Sequence, residues 1–246
     1  MKILIIIPAY NESENIGNLL DEIVSIEKLY PNETKLDILV INDCSKDNTS
    51  DICNVKNAKV IDLPCNLGIG GAVQTGYKYA FKNDYDFAVQ VDGDGQHNPS
   101  YIKDVIKPLM LNDADLVIGS RYLKKEGFQS TFLRRVGIRY FSNLIKVLVR
   151  QTITDPTSGF RACNKKVIKL FAHQYPVDYP EPESIVYLSR IGLRIIEVPV
   201  IMKSRHGGES SIKSFRSIYY MIKVSIAIFI DTLRKANSLV EKEVTR

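Results

Sequence analysis

Residues 87–97 read Phe-Ala-Val-Gln-Val-Asp-Gly-Asp-Gly-Gln-His. The segment opens as a short apolar run bounded by turn residues, the pattern of a buried β-strand. It stops at Asp92-Gly93-Asp94-Gly95-Gln96-His97, with two carboxylates one residue apart where the strand would end. In open α/β sheets, ligands bind outside the carboxyl ends of the strands. Carboxylates this close repel each other unless a cation lies between them. Hard oxygen ligands suit Mg²⁺, Mn²⁺ or Ca²⁺. An EF-hand loop starting at Asp92 would need Gly at its sixth position and Glu at its twelfth. Those positions hold His97 and Lys103, which excludes it. On this segment alone, a plain Gly/Asp turn stays open as well.

The 246 residues suffice for one large or two small domains with a sizeable core. Hydrophobic content of 45% and charged content of 25% are those of a soluble globular protein. Cys44, Cys53, Cys65 and Cys163 form no CxxC pair, which suits structural thiols in a reduced cytosolic compartment. Met1-Lys2 is followed by only five apolar residues before Pro8, too short for a signal peptide and better read as a first strand. The net charge of +5 is uneven: residues 121–150 carry eight basic residues against Glu126 alone, a local +7. Such a segment fits an anionic partner or a solvated helix face. Nucleic acid as that partner leaves the carboxylate-bearing strand end unexplained.

Outward from the central segment, strands are expected at Lys2–Ile7, Leu36–Ile41, Lys59–Leu63 and Asp115–Gly119. Helical spacing fills Ser13 to about Lys28, with Ser13 as N-cap. Further helices are expected at Asp47–Asn54, after Gly71 to Phe81, and at Pro99–Leu111. Strand–helix alternation predicts an α/β fold, a mostly parallel sheet with helices on both faces. Three strand ends then bring Tyr10 to Glu12, Asp43, and Asp92 to Asp94 to one edge. The turn Gly68-Ile69-Gly70-Gly71 offers backbone N–H groups to a phosphate at a helix start. It is not a dinucleotide fingerprint, because the position needing the last glycine holds Val73.

Several motifs in fixed order carry a family resemblance: PAYNE, INDCSKDNTSD, NLGIGGAVQTGY, VDGDGQHNP and GSRY at successive strand ends. The chain resembles family 2 glycosyltransferases of the GT-A fold. TDPTSGFR, YPEPE and EVPVIMKSRHGGESS are similar to the branch containing dolichyl-phosphate mannose synthase and bacterial polyprenyl-phosphate glycosyltransferases. The resemblance runs from about Lys2 to Ile212, and implies a catalytic domain over 1–211.

The resemblance implies an inverting transferase that moves a sugar from a nucleoside-diphosphate sugar to a polyprenyl phosphate. Pro8, Tyr10, Glu12, Asp43, Asn66, Gly70 and Asp92 would bind the donor. Asp92, Asp94 and Gln96 would hold Mg²⁺ or Mn²⁺. Arg121, Arg134 and Arg205 match the positions that bind the acceptor phosphate, and Asp94, Asp155 and Arg205 those nearest the chemistry. Asp155 and Arg161 would shape the acceptor side, although Asp155 before Pro156 is also an ordinary turn residue. The family often has Ser four residues after the second arginine, where this chain has Ile138. A saccharide hydroxyl as acceptor would instead need a base. Glu181 and Glu183 stand near where other family members supply one, and equally suit an acidic first helical turn. His97, His173 and His206 lack metal-ligand spacing and read as loop or surface residues.

Arg135, Arg139, Lys146 and Arg150 fall on one face of a helix, with Leu133, Val136, Tyr140, Leu144 and Leu148 on another. Residues 212–246 form a second unit, an apolar stretch (Ser217–Ile230) in a basic frame. A membrane span needs about 20 apolar residues, so this helix is expected at an anionic membrane surface, or packed on the domain or a partner. The expected setting is the cytoplasmic face of a membrane. A small membrane protein or a second copy are further partners to look for.

Overall fold

The computed structural model describes residues 1–27, 30, 34–124, 126–127, 131–176, 180–203 and 214–233. Its seven strands form one sheet in the order β3-β2-β1-β4-β6-β5-β7. They are β1 (Lys2–Ala9), β2 (Lys35–Asn42), β3 (Lys59–Asp62), β4 (Phe87–Gln90), β5 (Leu116–Ser120), β6 (Arg161–Asn164) and β7 (Ile195–Pro199). All neighbours are parallel except β6, which runs antiparallel to both β4 and β5. The start of β6 therefore lies at the same edge as the carboxyl ends of the other strands.

Eight helices cover the sheet: α1 (Ile16–Glu27), α2 (Thr49–Val55), α3 (Gly68–Lys82), α4 (Ile102–Met110), α5 (Phe132–Val149), α6 (Lys165–His173), α7 (Pro180–Arg190) and α8 (Ser214–Leu233). The two-residue period of a strand divides β1 between two cores. Leu4 and Ile6 join a cluster with α3, α5, α6, α7 and α8, while Ile3, Ile5 and Ile7 join one with α1, α2 and α4. Every β1 residue after Lys2 is buried, as expected of a strand covered on both faces.

Local chemistry moves several boundaries. Ser13 does not cap α1; the Glu12 carbonyl accepts from Asn15 and Ile16 N–H, and Ser13 N–H donates to Asp47. The glycine-rich turn is the first turn of α3 itself, and the Leu67 and Gly68 N–H groups donate to the Asp43 carboxylate at 2.7 and 2.9 Å. The helix start expected to hold a phosphate is thus occupied by a side chain. On α5 the inward stripe is Ile138, Phe141 and Ile145, while Val136 and Tyr140 stay exposed. Ile138 is a core residue. Arg134, Arg135, Arg139, Lys146 and Arg150 are exposed, as a solvated basic face requires.

Helix α8 buries Val224 and Ile228 in the first core and leaves Ile222, Ile226, Phe229 and Ile230 exposed. The Tyr140 and Ser225 hydroxyls hydrogen-bond at 2.9 Å, tying α5 to α8. No helix among the described residues is long and apolar enough to cross a membrane. All four cysteines are free; Cys53 and Cys163 are buried, Cys44 and Cys65 exposed.

Candidate active site

The loops after β1 and β2 lock together. Asn11 N–H donates to Ser45 Oγ and Lys46 N–H to Asn11 Oδ1. Glu12 N–H donates to Thr49 Oγ1, and the buried Glu12 carboxylate accepts from Asn15 Nδ2 at 3.0 Å. This cross-bonding explains why the two motifs carry so many short polar side chains. Tyr10 projects from the lock and is exposed, while Pro8 closes its core-facing side within β1. Asp43 is buried between the lock and α3. Asn66 donates to the Asp43 carbonyl at 3.1 Å, and Gly70 is buried in the first turn of α3. The expected donor residues are thus brought to one end of the sheet, with Asp43 turned toward α3.

Beyond β4, the Asp92 carboxylate accepts from Gln90 Nε2 at 3.0 Å. The Asp92 N–H donates to His97 Nδ1 at 3.0 Å, which leaves the proton of a neutral ring on Nε2, 3.6 Å from Asp92 Oδ2. His97 is buried and stacked on Phe160, with ring centroids 5.1 Å apart. His97 is a loop residue, as one of the two readings had it, but a buried one: the ring braces the turn from within. His173, by contrast, is exposed and bonds the Lys169 carbonyl, and His206 lies outside the described residues. Gly159 backs onto Asp92 so closely that a Cβ there would lie 2.5 Å from Oδ2. Asp94 Oδ1 accepts from Gln96 N–H at 3.1 Å, and the Gln96 carbonyl accepts from Lys203 N–H at 2.8 Å.

Among the described residues no group of three or more His, Cys, Asp or Glu is placed to enclose an ion alone. Two carboxylates and a nearby amide are a partial oxygen shell. That donor set fits Mg²⁺ or Mn²⁺, which are held by one or two carboxylates and complete their shells with water and substrate phosphates. It does not fit a closed structural zinc site.

The wall beyond Asp92 is built on a buried ion pair. Arg121 grips Asp155 with both prongs, Nε to Oδ2 and Nη2 to Oδ1, each at 2.7 Å. Asp155 is fully buried, and the Arg121 side chain is 7% exposed. Bidentate guanidinium–carboxylate pairs are geometrically strict, so Arg121 is fixed against the wall. Beneath it, Glu197 accepts from Thr154 N–H, Thr154 Oγ1 and Asp155 N–H at 2.8, 3.0 and 2.8 Å. Burial raises the Glu197 carboxyl above the usual carboxylate range, and these hydrogen bonds oppose the rise. The sequence reading missed Glu197; a single acid in an otherwise apolar strand was its signal.

Arg161 is fully buried and donates to the Ser158 and Pro156 carbonyls and to Ser184 Oγ at 2.6, 3.0 and 2.8 Å. It joins the Asp155 loop to the first turn of α7, which carries Glu181 and Glu183. Burial raises the Glu181 carboxyl; Arg161 pulls it back, Asp92 adds to the rise, and Arg134 lowers it. Asp92, Glu181, Arg161 and Arg134 therefore share one electrostatic space. Arg205 lies outside the described residues.

A mostly parallel sheet with carboxylates at the β4 end and one reversed strand beside it is the GT-A class. The crystal structure of glucosyl-3-phosphoglycerate synthase from Mycobacterium tuberculosis, in complex with Mn²⁺, UDP and glucosyl-3-phosphoglycerate, matches with a TM-score of 0.71 at 18% identity. The match covers 96% of this chain and 81% of that one. The model of glycosyl transferase family 2 matches residues 4–171, and the chain belongs to that family. It is 32% identical over 218 residues to the UDP-N-acetylglucosamine–dolichyl-phosphate N-acetylglucosaminyltransferase of Methanococcus voltae, covering 80% of this chain and 84% of that protein. It is 29% identical over 225 residues to the undecaprenyl-phosphate mannosyltransferase of Micrococcus luteus, covering 85% and 87%.

Proposed function

We propose that this glycosyltransferase moves a sugar from a nucleoside-diphosphate sugar to a polyprenyl phosphate, with inversion at the anomeric carbon and with Mg²⁺ or Mn²⁺. One observation carries the reading: Asp92, at the acidic strand end, lies within electrostatic reach of Arg121, and both Asp92 and the exposed Arg134 act on Glu181. The names of the relatives point to the same acceptor class. The locked loops carrying Tyr10, Glu12 and Asp43 bind the nucleoside. Asp92, Asp94 and Gln96 hold the cation, which supplies Lewis-acid stabilisation of the departing diphosphate.

A phosphate monoester has a second pKa of about 6, so the acceptor oxygen is largely anionic at neutral pH and needs no base. It forms its bond to the anomeric carbon as the bond to the nucleoside diphosphate breaks. Arg134 and Arg205 orient the acceptor phosphate, and Arg121, steadied by Asp155, supplies fixed positive charge behind it. A second reading has a specific support: Glu181, with its raised carboxyl pKa, is the group a saccharide hydroxyl acceptor would use as base.

We further propose that residues 212–246 serve as a surface element. The open face Ile222, Ile226, Phe229 and Ile230, beside the basic face of α5, suits a helix lying on an anionic membrane surface. The cytoplasmic face supplies nucleotide sugars to such a site.

The test is release of nucleoside diphosphate from a panel of UDP-, GDP- and dTDP-sugars with Mn²⁺ or Mg²⁺. Each is run with and without polyprenyl phosphate, beside Asp94→Asn. Release should require both metal and lipid phosphate. It should fall by on the order of 100-fold or more in the variant, the cost of several kcal/mol of leaving-group stabilisation. Release only with a saccharide acceptor would sink the lipid-phosphate reading and bring Glu181 forward.

A further inference from the structure

Gln90 is the last residue of β4, the central strand of the sheet, and has no exposed surface at all. Its register neighbours are Ile6 on β1 and Arg161 on β6. The positions around it on the same sheet face, Leu4, Ile6, Ala88 and Cys163, are core residues. An amide buried there is costly unless its polar atoms are paired. Its Nε2 donates to Asp92 Oδ1 at 3.0 Å, but its Oε1 is buried with no hydrogen-bond partner. Reversing the amide would set two acceptor oxygens face to face, so the orphan and the Asp92 bond come together. A methionine of similar size would avoid the orphan altogether. The one thing a methionine cannot do is donate to Asp92.

Two other groups confine the same carboxylate. His97 braces it from one side, and Gly159 lets the backbone of the following loop press against Oδ2. Asp92 comes two residues after the end of β4, and the Gln90 amide reaches its carboxylate directly.

We infer that Gln90 is a positioning residue: it fixes the Asp92 carboxylate, before any ligand arrives, in the orientation used to hold a divalent cation against a nucleoside diphosphate. The inference rests on the metal-dependent reading above. Outer-shell donors of this kind orient metal-ligating carboxylates, and their loss typically costs roughly 10–100-fold in metal affinity.

Gln90→Met tests it with three readouts: Mn²⁺ binding followed by electron paramagnetic resonance in the presence of UDP or GDP, the Mn²⁺ concentration at half-maximal nucleotide release, and Tm of the metal-free protein. Half-saturation by Mn²⁺ should rise roughly 10–100-fold, with Tm unchanged or higher and KM for the nucleotide sugar little changed at saturating Mn²⁺. Gly159→Ala, which pushes on the same carboxylate from the other side, should shift half-saturation in the same direction. Gln90→Met with Mn²⁺ half-saturation within about twofold of wild type overturns the inference, whatever its Tm. If Gln90→Met fails to fold, Gln90→Leu, an apolar side chain that likewise has no donor for Asp92, is judged by the same shift. Wild-type protein that binds nucleotide and turns over without Mn²⁺ or Mg²⁺ overturns the metal-dependent reading and this inference together. Metal dependence with an indifferent Gln90 overturns this inference alone.

Discussion

Glu181, in the first turn of α7, has surroundings that disfavour its charge. Burial dominates, and the nearby Asp92 carboxylate adds to it against the pull of Arg161. The sign of the resulting pH dependence is fixed by linkage. A carboxyl whose folded pKa lies above its unfolded value binds its proton more tightly in the native state, so stability falls as pH rises from the unfolded pKa through the folded one. Glu181→Gln should remove that loss. Thermal unfolding of the metal-free protein from pH 4 to pH 8 should show the variant gaining on wild type as pH rises; a constant offset would mean that Glu181 is not the titrating group. The same variant separates the two acceptor readings, since transfer to a lipid phosphate survives it and transfer to a hydroxyl does not. Spacing along the chain singled out Asp92 and Asp94 as a carboxylate pair, which lies in the turn just past β4, while leaving a plain turn open. It was not enough for His97, whose role depends on Phe160 and the Asp92 N–H, or for Gln90 and Gly159, whose meaning lies in contacts across the sheet. Glu197 was hidden for the same reason: its three donors lie more than forty residues earlier in the chain.

Helix α3 shows the gap between pattern and packing at the level of an element. Its apolar spacing marked a helix, but its glycines suggested a loop running to Gly71. Gly76 lies so near β1 that a Cβ would come within 2.3 Å of Ile6 Cγ2, so that glycine serves close helix–sheet packing. The start of α3 is held by Asp43, whose carboxylate accepts from two of the first free N–H groups. Removing such a cap costs about 1 kcal/mol, within a range of roughly 0.5–2. Asp43→Ala should therefore lower stability by about that amount in urea unfolding without nucleotide, and an unchanged midpoint would show that the carboxylate does not support α3. The first five strands were readable to within a residue or two because each is an apolar run that ends in turn residues. Strands β6 and β7 were not. β6 is four residues long and opens on a buried arginine, so neither length nor apolarity marks it. What makes it a strand is the pair of edges offered by β4 and β5.

Across the whole molecule, the reversed β6 divides the work of the sheet. On the proposed function, strands β1 to β4 and their loops would carry the nucleoside and cation side, and β5, β6, β7 and the Asp155 loop the other wall. Within the sheet the two halves are joined through β6, since β4 and β5 are not neighbours. That arrangement sets a timetable for a chain emerging from the ribosome. By residue 120 the first half still lacks a partner along the outer edge of β4 and the helices α5 to α8 that complete one of its cores, and β5 has no strand to join. A buried apolar strand left with an open edge is prone to pair with other chains. A fragment ending at residue 120 should therefore sediment as aggregate, whereas one extended through β7 to residue 203 should remain soluble; a monodisperse short fragment would contradict this order of assembly. Until Arg161 to Asn164 arrive, the growing protein is two incomplete sheets waiting for a shared seam, and the last strands made decide when the first can be put to use.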